Sequence, residues 1–209
     1  GIARDLAAAG LGTLKPLSVE PVAGEGPGPD VRTEDPAGCP AFYAQGVTGV
    51  SNGASPEWLA KRLRAIGQKP ISALVDITNY TTVDLGRPLH VYDKAKLTGG
   101  LVARKAKAGE QVLALNGKSY ALTPAMTVIA DDAQVHDIGG IMGGERTGVS
   151  EATRDVFLEA AWFDPVRTAR TAAARAADRD PTSPRWYVQP GTCRAHRPVS
   201  GPTTAVPRS

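Results

Sequence analysis

Gly86 and Pro88 frame a tight bend, and that bend delivers the chain directly into His90. Glycine reaches backbone conformations closed to other residues and proline fixes its own φ. The geometry just ahead of His90 is therefore set before any long-range contact forms. Shortly upstream runs Asp76-Ile77-Thr78-Asn79-Tyr80, so two hydrogen-bonding side chains, Thr78 and Asn79, precede the imidazole by less than a helix and a turn. The stretch reads as a small polar site held by its backbone.

The rest of the 209-residue chain limits what can surround such a site. This length allows one large domain or two small ones, and 42% apolar residues permit a real core. Aromatics are only 5%, so that core must be built mostly of Ala, Val, Leu and Ile. The 23 glycines and 17 prolines cluster toward the two ends. A net charge of +3 permits nucleic-acid contact without arguing for it. Cys39 and Cys193 lie far apart and lack CxxC spacing, which argues against a metal site or a disulfide. No apolar run approaches the roughly 20 residues needed to cross a bilayer, and no signal peptide is visible. A cytoplasmic protein with no membrane partner is expected.

Local patterns give the order of elements. Residues 2–9 favour a short helix stopped by Gly10. Residues 1–38 are expected to be the end of a preceding domain and a connector, because Glu25-Gly26-Pro27-Gly28-Pro29-Asp30 has linker composition. A module is expected over 39–177 and a divergent, unstructured tail over 178–209. Residues 42–50 read as a strand. Ser55-Pro56-Glu57 reads as a helix start with Ser55 as N-cap and Pro56 first inside. Leu59, Leu63 and Ile66 mark one helical face, which Gly67 ends. Ile71–Tyr80 fits either a helix or a buried strand. Strands are expected at 102–106, 110–115, 127–130 and 156–161, and Asn116-Gly117 signals a hairpin. Asp164 as N-cap and Pro165 as the first helical residue open a late helix. The fold class is α+β, with mixed β-sheets flanked by helices.

The chemistry-bearing groups are few. His90 can serve as base, acid or hydrogen-bond donor near neutral pH; the alternative is a histidine packed at a turn and bonded to backbone. Glu159 sits in an apolar strand, where it either faces solvent or needs a partner to offset several kcal/mol of desolvation. His136 is expected in an acidic loop without partners, and His196 in the tail. Gly139-Gly140-Ile141-Met142-Gly143-Gly144 lacks the GxGxxG spacing and is not followed by Gly-Lys-Ser/Thr. Its glycines instead allow close backbone approach, and its amides are candidate oxyanion donors. No GxSxG or HExxH motif appears, so neither serine nucleophile nor zinc chemistry is supported.

The segments LVDITNYTTVDLGRPLHVYD (74–93) and IGGIMGGERTGVSEATRDVFLEAAWFDPVRTARTA (138–172), with the hairpin between them, resemble the B3/B4 module of bacterial phenylalanyl-tRNA synthetase beta chains. The resemblance runs from about residue 36 to 173. It implies an editing hydrolase that removes tyrosine mistakenly attached to the 3′ end of phenylalanine tRNA. It also implies site residues at Thr78, Asn79, His90 and Glu159, with the glycines around Gly140 lining the same pocket. His90 and Asn79 would be catalytic, positioning the ester and the attacking water. Glu159, Thr78 and Gly140 would bind substrate, Glu159 reading the phenol or the ammonium. No metal is implied in this segment; ATP and Mg, and the partner alpha chain, belong to the full synthetase. The physics is consistent, since an apolar pocket rejects an added hydroxyl only weakly and a second site must then bind it. Past the late helix the chain departs from the family pattern at Asp178-Arg179-Asp180-Pro181, and class II catalytic motifs are absent. The rival expectation is a non-catalytic RNA-binding or scaffold piece that keeps the fold.

Overall fold

The apolar run at 127–130 becomes a strand in which every residue is buried, and this places a sheet with both faces covered at the middle of the molecule. The computed structural model describes residues 2–18, 20 and 22–177. The expectations for the tail, including Cys193 and His196, lie outside the described residues. In chain order the elements are α1 (Ile2–Ala8), β1 (Val31–Thr33), β2 (Ala41–Val47), α2 (Glu57–Ala65), α3 (Ala73–Leu85), β3 (His90–Asp93), β4 (Leu101–Lys105), β5 (Gln111–Leu113), β6 (Ser119–Ala121), β7 (Thr127–Ala130), β8 (Val135–Ile138), β9 (Val156–Trp162) and α4 (Pro165–Ala177). The result is the expected α+β fold of mixed sheets and helices.

The middle sheet has the order β1-β4-β7-β8. β1 joins β4 in parallel, and the other pairs are antiparallel. One face carries Leu101, Ala103 and Ile129 and packs with Tyr92 and Phe157 of a second, antiparallel sheet, β2-β9-β3. The opposite face carries Val102, Val128, Ala130 and Ile138, which pack on Val112 of the β5-β6 hairpin and on Met142. Alternation along β4 and β7 therefore feeds two separate cores. α2 packs against α3, and α3 against β3.

Three expectations need correction, and one open alternative is decided. Val31–Thr33, inside the stretch expected to be connector, forms an edge strand of the middle sheet. Ser55 is not the cap of α2: Pro56 takes that position, and the Ser55 hydroxyl donates to Asp76 instead. Of the two alternatives for 71–80 the helix forms: α3 begins at Ala73 and runs to Leu85, and Gly86 caps it at φ 66°. His136 does not sit in an unpartnered loop. It lies in β8, its side chain is fully buried, and its Nε2 stands 2.8 Å from Asp131 Oδ2. β3 has no counterpart among the expected elements, and the remaining ones form close to where they are expected. Gly117 turns the hairpin at φ 73°, and Asp164 Oδ1 accepts the Arg167 amide at 2.7 Å, as an N-cap does.

Candidate active site

β3 and β9 run antiparallel with His90 directly opposite Glu159 and Tyr92 opposite Phe157. Residues opposite each other in a ladder project from the same face, and here that face looks toward the middle sheet. The bend at Gly86–Pro88 starts β3 at His90, and Arg87 secures it by donating to the Ala161 carbonyl at 2.7 Å. A cavity of about 200 Å³ opens beside this ladder. Its walls include His90, Glu159, Asp137, Thr82 of α3 and the turn from Gly139 to Gly143.

Glycine is required in that turn. Gly140 has φ 69° and lies against the Phe163 ring, where a Cβ would approach to 3.0 Å. At Gly143 a Cβ would stand 2.6 Å from His90 Cε1. Most amides of the turn are already bonded. Gly139 donates to Thr127 O, Ile141 and Met142 to Ile138 O, and Gly144 to Asp137 Oδ1 at 2.6 Å.

Glu159 is buried and its Oε2 lies 2.6 Å from Tyr92 Oη. Burial pushes its carboxyl up to about 7; Asp137 adds to the rise, while His90, Tyr92 and Arg87 oppose it. Tyr92 is completely buried, and burial followed by the two acids raises its phenol well above the usual value. Its hydroxyl also bonds Asp137. The rings of His90 and Tyr92 meet edge to face at 4.4 Å. His90 Nε2 is shielded, makes no hydrogen bond and stands 3.9 Å from Asp137 Oδ1.

The structure therefore brings His90, Glu159 and Gly140 to one cavity, but not Thr78 or Asn79. Thr78 is buried within α3, its hydroxyl donating to Val75 O at 2.7 Å. Asn79 is half-buried on the same helix and does not line the cavity wall. Thr82, one turn after Thr78, is the α3 residue that does. Asp137, Tyr92 and Arg87 were not singled out from the sequence. Tyr92 sits inside the quoted 74–93 segment, two residues after His90 and hence on the same strand face, which is the signal that could have found it. Among the described residues, no cluster of three or more His, Cys, Asp or Glu side chains could hold a metal ion.

A B3/4 domain model matches residues 38–182. The chain belongs to the B3/4 domain family. Within this B3/4 chain the matched span contains every wall residue of the cavity. It is 62% identical over 181 residues to a phenylalanine–tRNA ligase beta subunit of Novosphingobium aromaticivorans, covering 86% of this chain and 23% of that one. It is 58% identical over 167 residues to the beta subunit of Zymomonas mobilis, covering 79% and 21%. These relatives bear out the resemblance to synthetase beta chains. The B3/4 chain spans less than a quarter of the length of the curated relatives it matches. A solved N-terminal fragment of the phenylalanyl-tRNA synthetase beta subunit from Pyrococcus horikoshii matches with a TM-score of 0.47 and 13% identity, covering 71% of this chain and 50% of that one. No helix among the described residues is long and apolar enough to cross a membrane.

Proposed function

We propose that this B3/4 chain hydrolyses tyrosine from mischarged phenylalanine tRNA, as the editing part of a phenylalanine–tRNA ligase beta subunit that works with an alpha chain. The carrying observation is the cross-strand pair of His90 and Glu159 at the wall of a cavity whose other wall is glycine backbone. A buried carboxyl in a cavity that also presents Leu89, Ile141 and Phe163 suits a ligand that brings one hydroxyl on an aromatic ring. A pocket built to bond that hydroxyl rejects the analogue lacking it far better than an apolar pocket rejects the added group.

In the reaction, a water oxygen attacks the ester carbonyl carbon, the ester C–O bond breaks, and the ribose oxygen takes a proton as tyrosine leaves. His90 sits beside the turn whose Gly140 and Gly143 amides remain as candidate donors to the oxyanion. His90 is assigned to orient or deprotonate the water. Asn79, expected to be catalytic, and Thr78, expected to bind substrate, both sit on α3 away from the cavity wall. Because neither lines the cavity, their substitution is expected to cost less than that of His90.

Release of labelled tyrosine from Tyr-tRNA(Phe), with Phe-tRNA(Phe) as control, tests the reading. Glu159→Ala is expected to abolish discrimination between the two, and His90→Ala to slow release by roughly 10²-fold or more. Retention of the tRNA without release would favour the non-catalytic RNA-binding reading.

A further inference from the structure

The hydroxyl of Tyr92 contacts two acids at once, Asp137 Oδ2 and Glu159 Oε2. A phenol has one proton to donate. It satisfies one carboxylate, and a second hydrogen bond at the same oxygen has to be donated to it. The groups that face Glu159 are His90 and Tyr92 from β3, Arg87 from the bend, Asp137 from β8 and Cys39 ahead of β2. Of these, Arg87 spends a guanidinium N–H on the Ala161 carbonyl. Asp137 is the acid with a direct backbone donor, since its Oδ1 accepts the Gly144 amide at 2.6 Å, whereas the nearby His90 acts on both acids. The negative charge belongs there, and the extra proton belongs on Glu159.

Asp137 reaches this position through a β-bulge. Ala130 pairs with Val135 and Ile129 with Asp137, so His136 is the extra residue of β8. In a regular strand Val135 and Asp137 would share a face. The bulge turns them to opposite faces, Val135 into the hairpin core and Asp137 into the layer with Tyr92.

We propose that Asp137 and Tyr92 are positioning residues for Glu159: Asp137 accepts the hydrogen bond of the phenol, the phenol oxygen accepts from Glu159 Oε2, and Glu159 is held as a neutral acid that offers Oε1 to the cavity as an uncharged acceptor. An uncharged acceptor gives a cationic group no ionic attraction. The proton bridge does not depend on the editing reading.

The test is an infrared titration of the 209-residue chain, with Glu159→Gln as the subtraction. A carboxylic-acid band absent from Glu159→Gln is expected to titrate with a midpoint at about 7. In Asp137→Asn the amide can donate to Tyr92, freeing the phenol proton for Glu159, and the midpoint is expected to fall by at least about one pH unit, tenfold in proton affinity. A wild-type midpoint in the ordinary glutamate range overturns the proposal, as does an unmoved midpoint in folded Asp137→Asn. Should Asp137→Asn not fold, the wild-type midpoint decides alone. No tRNA is involved, so the outcomes separate. An ordinary midpoint with tyrosine release intact sinks the bridge alone. A high midpoint without release sinks the editing reading and leaves the bridge standing.

Discussion

Glu159 carries a stability cost that depends on pH. In an unfolded chain its carboxyl ionises near 4.5; in the fold it ionises at about 7. Between those values the unfolded chain binds fewer protons, so stability falls as pH rises, and the full deficit is present above about 7. For a group this buried the deficit is on the order of 3 kcal/mol. Glu159→Gln keeps a neutral side chain that can donate to Tyr92. Its thermal midpoint is expected to change little between about pH 5 and 8 while the wild type loses several degrees; parallel losses would mean that Glu159 ionises normally. Gly143→Ala makes a different point. The new methyl would lie 2.6 Å from His90 Cε1 and 3.1 Å from Leu115 Cδ1. Displacement of the imidazole is expected to cut tyrosine release at least about tenfold, for a stability loss of only about 1 kcal/mol. Tyrosine release and urea denaturation on the same sample check both halves. His90 and Glu159 could be picked out as isolated letters, because an imidazole after a fixed bend and an acid in an apolar strand are both costly to place idly. Asp137 could not, since the bulge that aims it depends on pairing with β7.

At the level of elements, α4 and α3 show opposite behaviour. α4 starts where Asp164-Pro165 says it should, and the cap bond to the Arg167 amide is in place. Asp164→Ala is expected to cost about 1 kcal/mol, read as a lowered urea midpoint with an unchanged slope. α3 inverts the usual pattern. It buries Asp76, Thr78 and Thr82 and exposes Ile77, Val83 and Leu85. The buried polar groups are satisfied locally. Asp76 accepts from Ser55 and from the Ile71 amide, and the threonine hydroxyls donate back to carbonyls of their own helix. Hydrophobic periodicity cannot identify such a helix, which is why residues 71–80 read equally well as a strand. β8 was hidden for a similar reason. Val-His-Asp-Ile looks like a polar loop until Asp131 and the bulge provide for its imidazole and its acid.

Across the whole molecule, acids with opposite shifts set the pH range of stability. Asp35 is buried, which alone would raise its carboxyl, but bonds from Arg167 and Thr127 outweigh burial and hold it below 3.8. Asp131 is likewise lowered against burial, by the Thr98 amide, His136 and the turn amides. Their contribution is present above about 3.8 and is lost as pH falls through their lower folded values. Glu159 contributes in the other direction, adding stability as pH falls from 7 toward 4.5. Denaturation at about pH 3, 5 and 8 is expected to give the highest midpoint at 5; a steady rise from 3 to 8 would contradict the Glu159 half. The Asp35–Arg167 pair also ties the segment after β1 to α4, so the N-terminal strand and the last described helix close on the same β7 residue, Thr127. By itself the sequence determined what is local: the bend into His90, the Asn116-Gly117 hairpin, the capped start of α4 and the apolar strands. These rest on backbone preferences and short-range bonds. Only the tertiary structure decided that His90 faces Glu159 across a ladder, that Thr82 rather than Asn79 reaches the cavity, and that Tyr92 lies between two acids. Strand register and the side chains it brings together follow from pairing between segments tens of residues apart, where the favourable energy is burial of a shared face and no local signal exists.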